Sequence, residues 1–532
     1  MEEKRDMEQE IRKEKKLEKG KKGFFGIIYG RAAVVILLMV IQIALIFVFY
    51  NWLSEYVYFL NTALTILGFL LVVHIINKKE NPAFMLTWVI LILVVPVFGT
   101  LLYLFVELQI GNKWINAKLQ TMHVSTKKYW NQNEIVYRNL EGDNAEVAHM
   151  ARYVYGKGGF PVYQNTSVKY FPDGIAKFRE LVKQLERAQH FIFLEYFIVD
   201  RGYMWDTILD ILKKKVAEGV EVRFLYDGSC CLALLPYHYP QQIEKYGIKC
   251  HMFAPVRPAL STRQNNRDHR KIVVIDGHIG FTGGINLADE YIHRKERFGF
   301  WKDTAVMLQG EAVRSMTIMF LEMWNVEKNG KRENFERYLD VPRLKIAANG
   351  DGFVIPYGDS PLDNELVGEQ VYMDILYTAR KYVHIMTPYL ILDHDMITAL
   401  TYAAKRGVEV IIIMPHIPDK WYAFVLAKTY YDELIEAGVQ IYEFTPGFVH
   451  AKVFTSDDCK AVVGTINMDF RSLYLHFECA VFMYKNEEIP KVEADFQETL
   501  AQCEKIEVGA FKRQKLFNQL AGKVLRLFAP LM

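Results

Sequence analysis

The strongest constraint on this chain is a set of polar residues that recurs at the same offsets in two distant places. His269-Arg270-Lys271-Ile272-Val273-Val274-Ile275-Asp276 is matched by His450-Ala451-Lys452-Val453-Phe454-Thr455-Ser456-Asp457. Lys follows His by two positions in both (271 − 269; 452 − 450), and Asp follows by seven (276 − 269; 457 − 450). Farther on, Gly283-Gly284-x-Asn286 and Gly464-Thr465-x-Asn467 place Asn seventeen residues after His (286 − 269; 467 − 450). A single His-x-Lys on a strand is ordinarily a surface pair, and a single Asp-Gly is a hairpin signal. Four polar positions repeated in register are not explained that way. They require two copies of one folding unit.

The surroundings of the motif repeat as well. Gly219-Val220-Glu221-Val222, followed by Phe224-Leu225-Tyr226, is echoed by Gly407-Val408-Glu409-Val410, followed by Ile411-Ile412-Ile413. Each string follows a helix-like segment and reads as helix, turn, buried strand. Phe191 to Val199 and Val383 to Leu392 are matching apolar strand candidates. Strands alternating with helices define an α/β class, with two pseudo-symmetric repeats expected to share one active site. The expected organisation is a charged tail (1–30), a membrane-associated segment (31–110), a first repeat (111–345), a second repeat (346–510) and an amphipathic basic end (511–532). The polar stretch Arg332 to Arg343 reads as the link between repeats.

Residues two apart on a strand point to the same face, so each His shares a face with its Lys. The Gly-containing segment then brings Asn back beside them. Such a wall suits a phosphate: Lys271 and Lys452 supply charge, and Asn286 and Asn467 supply amide donors next to Gly284 and Thr465. His269 and His450 supply a nucleophile or a proton. Two nearby imidazoles titrate as a pair, which gives one neutral and one charged partner. Asp276 and Asp457 read as partners of histidine ring N–H groups, either in their own repeat or in the opposite one. Glu195, acidic within an apolar run, takes either an edge position or a role in the pocket. His251, His278 and His476 have no repeat partner and read as structural or exposed. Lys in each motif would repel a divalent cation, and no metal or other cofactor is expected. The six cysteines, Cys230, Cys231, Cys250, Cys459, Cys479 and Cys503, show neither metal-ligand spacing nor a disulfide framework.

The amino-terminal part is of a different kind. A Lys-rich end to the charged tail precedes an apolar run from Ala32 to Tyr50, and a second run spans Tyr56 to Ile76. Each is near the roughly 20 residues that a membrane crossing needs. Lys and Arg flank the pair outside and are missing from the loop between, which places the amino terminus and Lys78 in the cytoplasm. A third run, Ala83 to Val106, is interrupted by Pro96 and Gly99. It either crosses or enters and returns, and Lys113, Lys118, Lys127 and Lys128 beyond it favour return. At the other end, Leu516, Phe517, Leu520, Val524, Leu527 and Phe528 recur at helical spacing among Lys and Arg. That segment either packs on the core or lies on anionic lipid. A formal net charge of only +2 argues against a dedicated nucleic-acid binder.

The two H-x-K-x4-D boxes, each followed by G-[GT]-x-N, resemble the phospholipase D superfamily over roughly residues 165–510. Longer strings are similar to the bacterial cardiolipin synthases. They include Phe298-Gly299-Phe300-Trp301-Lys302-Asp303, Gly464 to Ser472 and the Asn81-Pro82 region. Asp268 stands where that family would place Asn. The resemblance implies a phosphatidyltransferase that uses phosphatidylglycerol in a multi-pass membrane setting, with a cytoplasmic catalytic part. It implies two steps, with His269 as nucleophile, His450 as acid and base, and Glu478 as a further residue near the site. A hydrolase releasing phosphatidic acid would carry the same residues. A nuclease of the superfamily or a membrane scaffold fits less well, given the apolar segments and two intact motifs. Oligomeric state is not legible.

Overall fold

The computed structural model describes residues 57–108, 110–229, 234–236, 238–255, 266–327, 333–339, 350–363 and 365–531, with residues 40, 44 and 48 before them. The charged tail, nearly all of the first apolar run, and Cys230 and Cys231 lie outside the described residues.

The first unit contributes β1 (Thr166–Phe171), β2 (Phe191–Tyr196), β3 (Glu221–Asp227), β4 (Lys249–Phe253), β5 (Arg267–Asp268), β6 (Ile272–Ile275), β7 (Ile279–Gly283), β8 (Phe300–Lys302) and β9 (Ala305–Gly310). The second contributes β10 (Phe353–Asp359), β11 (Tyr382–Met386), β12 (Leu390–Ile391), β13 (Glu409–Pro415), β14 (Gln440–Phe444), β15 (Gly447–Val449), β16 (Val453–Ser456), β17 (Lys460–Gly464), β18 (Met468–Asp469), β19 (His476–Tyr484) and β20 (Cys503–Lys505). The first sheet runs β1-β9-β7-β6-β2-β3-β4, and the second runs β10-β19-β17-β16-β11-β13-β14, with β20 added at its edge. The two orders superpose strand for strand, so the duplication read from the motifs is a duplication of topology. In each sheet three strands are parallel (β2-β3-β4; β11-β13-β14) and the rest antiparallel. The helices Tyr203–Ala217 and His394–Lys405 make the crossovers that parallel strands require. Asp393 caps the latter by accepting from the Met396 N–H.

The sheets face one another across a shared core. Phe193, Ile272 and Val274 of the first meet Ile413, Val463 and Val481 of the second, with Met316, Phe320 and Trp324 of the helix Val313–Glu327 between them. Each sheet buries its other face under its own helices. One boundary needs correction. Residues after 111 were assigned to the first repeat, but Val136, Leu140, Val147, Met150 and Val154 pack in the second unit's core. Their helices, Glu134–Asp143 and Ala145–Tyr153, therefore reach across before the first sheet begins.

Ahead of these units stand three helices, Val57–Ile76, Pro82–Val94 and Pro96–Leu108. The last two form a tight hairpin. A Cβ at Gly99 would lie 2.5 Å from the Leu91 carbonyl oxygen, so glycine permits the approach. Trp88 meets Tyr103 edge to face at 5.4 Å, and Lys78 pairs with Glu107 at 2.8 Å, which brings the end of the hairpin back beside the end of the first helix. Each arm has 13 residues, about 20 Å at 1.5 Å per residue, short of a bilayer core of about 30 Å. Val57–Ile76 has 20 residues, not all of whose side chains are described, and among the described residues no helix is long and apolar enough to cross a membrane. Asn81, which caps the hairpin, donates to Asp393 and to Tyr474, each at 2.7 Å. Phe84 packs on Phe470 and Tyr474. The hairpin is thus fixed to the second unit. The helix Leu516–Phe528 lies on Trp421–Glu436, with Arg526 paired to Glu433 at 3.1 Å. Its Leu516, Phe517, Leu520 and Val524 are exposed, which rules out core packing for that face.

Candidate active site

Both motif histidines sit just past a short strand that pairs with the other unit. β5 ends at Asp268 and runs parallel to His476-Phe477 at the start of β19, and the His269 N–H donates to the Phe477 carbonyl at 2.9 Å. β15 ends at Val449 and runs parallel to β8, and the His450 N–H donates to the Lys302 carbonyl at 2.7 Å. Each histidine is therefore placed by backbone from the opposite repeat. Its ring is oriented the same way. His269 Nδ1 is 2.9 Å from both oxygens of Glu478, and His450 Nδ1 is 2.7 Å from Asp303 Oδ2. With Nδ1 held by a carboxylate, Nε2 is the nitrogen left for chemistry in each ring.

This overturns the expected role of the motif aspartates. Asp276 accepts from the backbone N–H groups of Gln189, His190 and Phe191 at 2.8, 2.7 and 2.8 Å. Asp457 accepts from those of Arg380, Lys381 and Tyr382 at 2.7, 2.8 and 3.0 Å. Both have left-handed backbone (φ 51° and 53°) in the turn after the Lys-bearing strand. They tie that turn to the start of β2 or β11. The pattern repeats because the turn repeats, and the carboxylates do not reach the imidazoles.

The Gly-containing segments support the orienting carboxylates. A Cβ on Gly284 would fall 2.1 Å from Asp303 Oδ1, so only glycine leaves room for that carboxylate. Thr465, fifteen after its histidine as Gly284 is (465 − 450; 284 − 269), donates its hydroxyl to Glu478. Asn286 accepts from the Ile198 N–H at 3.0 Å and donates to Tyr291 at 2.7 Å. Asn467 donates to Ser472 at 2.9 Å, and its buried Oδ1 has no hydrogen-bond partner among the described residues. Lys271 and Lys452 each donate to the carbonyl of their own histidine. Glu195 lies on β2, where its contact is with Arg270 at 2.5 Å, and Arg270 also reaches Asp268 at 3.2 Å. That buried cluster secures the segment carrying His269 and leaves Glu195 outside the imidazole pair.

Charged groups of the two motifs lie close enough to influence one another. Burial, then Lys271, His476, Lys452 and His450, hold His269 well below its ordinary value. Burial and Lys452 bring His450 to about 4, against the opposing pull of Asp303. Burial lowers Lys271 to about 8 and Lys452 to about 7, and raises Glu478 to about 8. Groups of the two motifs act on one another, as a shared pocket requires. Desolvation thus pushes both imidazoles towards the neutral form.

Of the two readings for His476, structural or exposed, the second does not hold: it is buried, with its ring 5.6 Å from that of His269. His251 stacks near Trp324 and His278 faces the Asp276 carbonyl, both away from the motif imidazoles. Among the described residues, His269, His476 and Glu478 are the one group whose ligand-type atoms lie mutually close, within 4.8 Å. Lys271 beside them opposes a cation. Cys250, Cys459, Cys479 and Cys503 are free thiols.

Two pseudo-symmetric α/β units that orient each other's histidine, each followed two residues on by a lysine, define a site of the phospholipase D superfamily. Comparison with known proteins agrees. The family described as "Cardiolipin synthase, PLD-like domain" matches residues 181–324 and 372–500, and "Phospholipase_D-nuclease N-terminal" matches 66–107. The chain belongs to the cardiolipin synthase family. It is 34% identical over 457 residues to a cardiolipin synthase of Alkalihalophilus pseudofirmus, covering 86% of this chain and 90% of the relative. It is 32% identical over 505 residues to one of Halalkalibacterium halodurans, covering 94% and 100%. An uncharacterized protein of Streptococcus mutans is 51% identical over 461 residues, covering 87% of this chain and 99% of that protein. Among solved structures, phosphatidylserine synthase of Haemophilus influenzae aligns with a TM-score of 0.52 at 15% identity, over 72% of this chain and 98% of that one, which supports the fold. Membership of this family implies association with a membrane.

Proposed function

We propose that the protein joins two phosphatidylglycerol molecules into cardiolipin, with release of glycerol. In the first step neutral His269 Nε2 attacks phosphorus, the bond to the glycerol oxygen breaks, and His450 gives that oxygen its proton. In the second step His450 takes the proton from a head-group hydroxyl of another phosphatidylglycerol. That oxygen attacks phosphorus, the P–N bond breaks, and His269 is regenerated. Lys271 and Lys452 hold the non-bridging oxygens as charge grows on them. One observation carries the reading: each Nδ1 is held by the opposite unit's carboxylate, which leaves two Nε2 atoms for one phosphorus. The hairpin 83–106 is proposed to enter the bilayer and return, with Val57–Ile76 and the preceding apolar run crossing it and the catalytic units cytoplasmic. The paired ends at Lys78 and Glu107 and the exposed apolar face of Leu516–Phe528 support that placement.

The test is purified protein with phosphatidylglycerol in mixed micelles, with product identification and labelled free glycerol. Cardiolipin, glycerol release and entry of label into phosphatidylglycerol are expected, because the first step is reversible. Phosphatidic acid as the sole product would make the protein a hydrolase. Cardiolipin without glycerol exchange would replace the phosphohistidine with direct attack of one lipid on the other.

A further inference from the structure

One buried side chain beside the nucleophile is left without a partner. His476 opens β19, where its backbone pairs with Arg267 of β5, and it is only 8% exposed. Its ring lies 5.6 Å from that of His269 and 6.5 Å from Phe197. Among the described residues neither ring nitrogen has a hydrogen-bond partner. Nδ1 is 3.9 Å from Glu478 Oε1, beyond hydrogen-bond range, and that carboxylate already serves His269 and Thr465. Buried polar atoms are nearly always satisfied, so two unmet nitrogens on one ring at the edge of a reaction site point to a ligand that meets them.

The state of the ring narrows the ligand. Burial, then Arg471, Lys271, Arg267 and Lys420, hold it well below its ordinary value, so it is a neutral imidazole with one donor and one acceptor. Phosphate oxygens only accept, and Lys271 and Lys452 already stand ready for them. An acyl chain offers nothing to either nitrogen. An alcohol both donates and accepts, and a glycerol head group carries free hydroxyls within a few bonds of the phosphorus that His269 attacks.

We propose that His476 binds a head-group hydroxyl of the phospholipid whose phosphate reaches His269, and so selects polyol head groups over those that lack hydroxyls. This rests on the transfer reaction proposed above. The role is a contact to substrate next to the reacting atoms, distinct from the orienting carboxylates.

The test compares single-turnover release of labelled head group from phosphatidylglycerol and from phosphatidylpropanol, whose head group has no free hydroxyl. Full-length protein in excess over lipid is used, so no acceptor is needed. The wild type is expected to favour phosphatidylglycerol, and His476→Phe to lose about tenfold to a hundredfold on that lipid alone, the range for one unmet buried hydrogen bond. His476→Asn, which restores one donor and one acceptor, is expected to keep part of the preference. The ratio between lipids is independent of how much variant folds. Equal losses on both lipids, or no loss on either, would overturn the role of His476 while leaving the transfer reaction intact. A wild type that releases neither head group would refute the proposed reaction and this inference with it.

Discussion

Replacing Asp276 and Asp303 separately tests the central structural claim, that the motif aspartate holds the fold while a residue outside the motif orients the base. Asp276 accepts three backbone N–H bonds, of 2.8, 2.7 and 2.8 Å, and two of those donors are only partly buried. A bond to a charged acceptor is worth about 1.5–3 kcal/mol when buried. Water replaces part of that at the two partly buried donors, which leaves roughly 1 kcal/mol at each; with roughly 2 kcal/mol for the buried one, Asp276→Ala costs about 4 kcal/mol. Asp276→Asn keeps one acceptor and a residue type tolerant of the left-handed turn, and should cost about half as much. Asp303→Asn keeps a partner for His450 but removes the charge that stabilises imidazolium. The expected loss is about 10²–10⁴ in rate, with stability changed by less than about 1 kcal/mol. The assays are glycerol release from phosphatidylglycerol and the urea unfolding midpoint on the same detergent-solubilised proteins. Asp276→Ala should unfold early and, where still folded, turn over near the wild-type rate. The reasoning fails if Asp276→Ala keeps its midpoint yet loses as much activity as Asp303→Asn.

Three further outcomes are expected. Lys452 at about 7 and Lys271 at about 8 are largely deprotonated in the empty site at alkaline pH, and a bound anion favours their charged forms. Anion binding therefore takes up protons, and the inhibition constant of vanadate should rise as pH climbs through 7 to 9; a flat profile would sink this assignment. Glycerol release should survive exhaustive chelation, because Lys271 opposes a cation at the His269–His476–Glu478 group; restoration of a lost rate by one specific divalent ion would count against it. A cysteine introduced at position 113 should resist a membrane-impermeant reagent from outside the cell, as a returning hairpin requires, and ready labelling from outside would overturn that topology.

The sequence made the duplication legible because both copies keep His, Lys, Asp and Asn at the same offsets, and the strand orders follow from that. It misled at Asp276 and Asp457 for the same reason: a turn that recurs in two copies conserves its clamp as strictly as a site conserves its chemistry. Asp303 escaped notice because its counterpart is a different residue at a different offset. It lies 34 positions after His269 (303 − 269), whereas Glu478 lies 28 after His450 (478 − 450). A register search is blind to such a pair. The signal in the sequence is an aromatic residue just ahead of each acidic one, Trp301 before Lys302-Asp303 and Phe477 before Glu478, and the fold pairs those stretches with the segment before the other histidine. His476 has no repeat partner, so a register search is silent about it, and its burial beside His269 is visible only in the fold.

The exchanged orientation of the histidines explains why the units are found in one chain and one site. A unit alone could form its sheet, since its strand order is complete, but its histidine would lack both the strand that places it and the carboxylate that holds Nδ1. Chemistry therefore depends on docking of the two sheets, and a covalent link keeps that docking intramolecular. Docking also reaches the membrane side. Asn81 binds Tyr474, two residues before His476, and Phe84 packs on Phe470 and Tyr474 in the same loop. The segment from Asp469 to Glu478 thus carries, within ten residues, the hairpin's anchor, the buried imidazole of His476 and the carboxylate that holds His269. Packed side chains therefore link the hairpin to the loop that leads into β19 and Glu478.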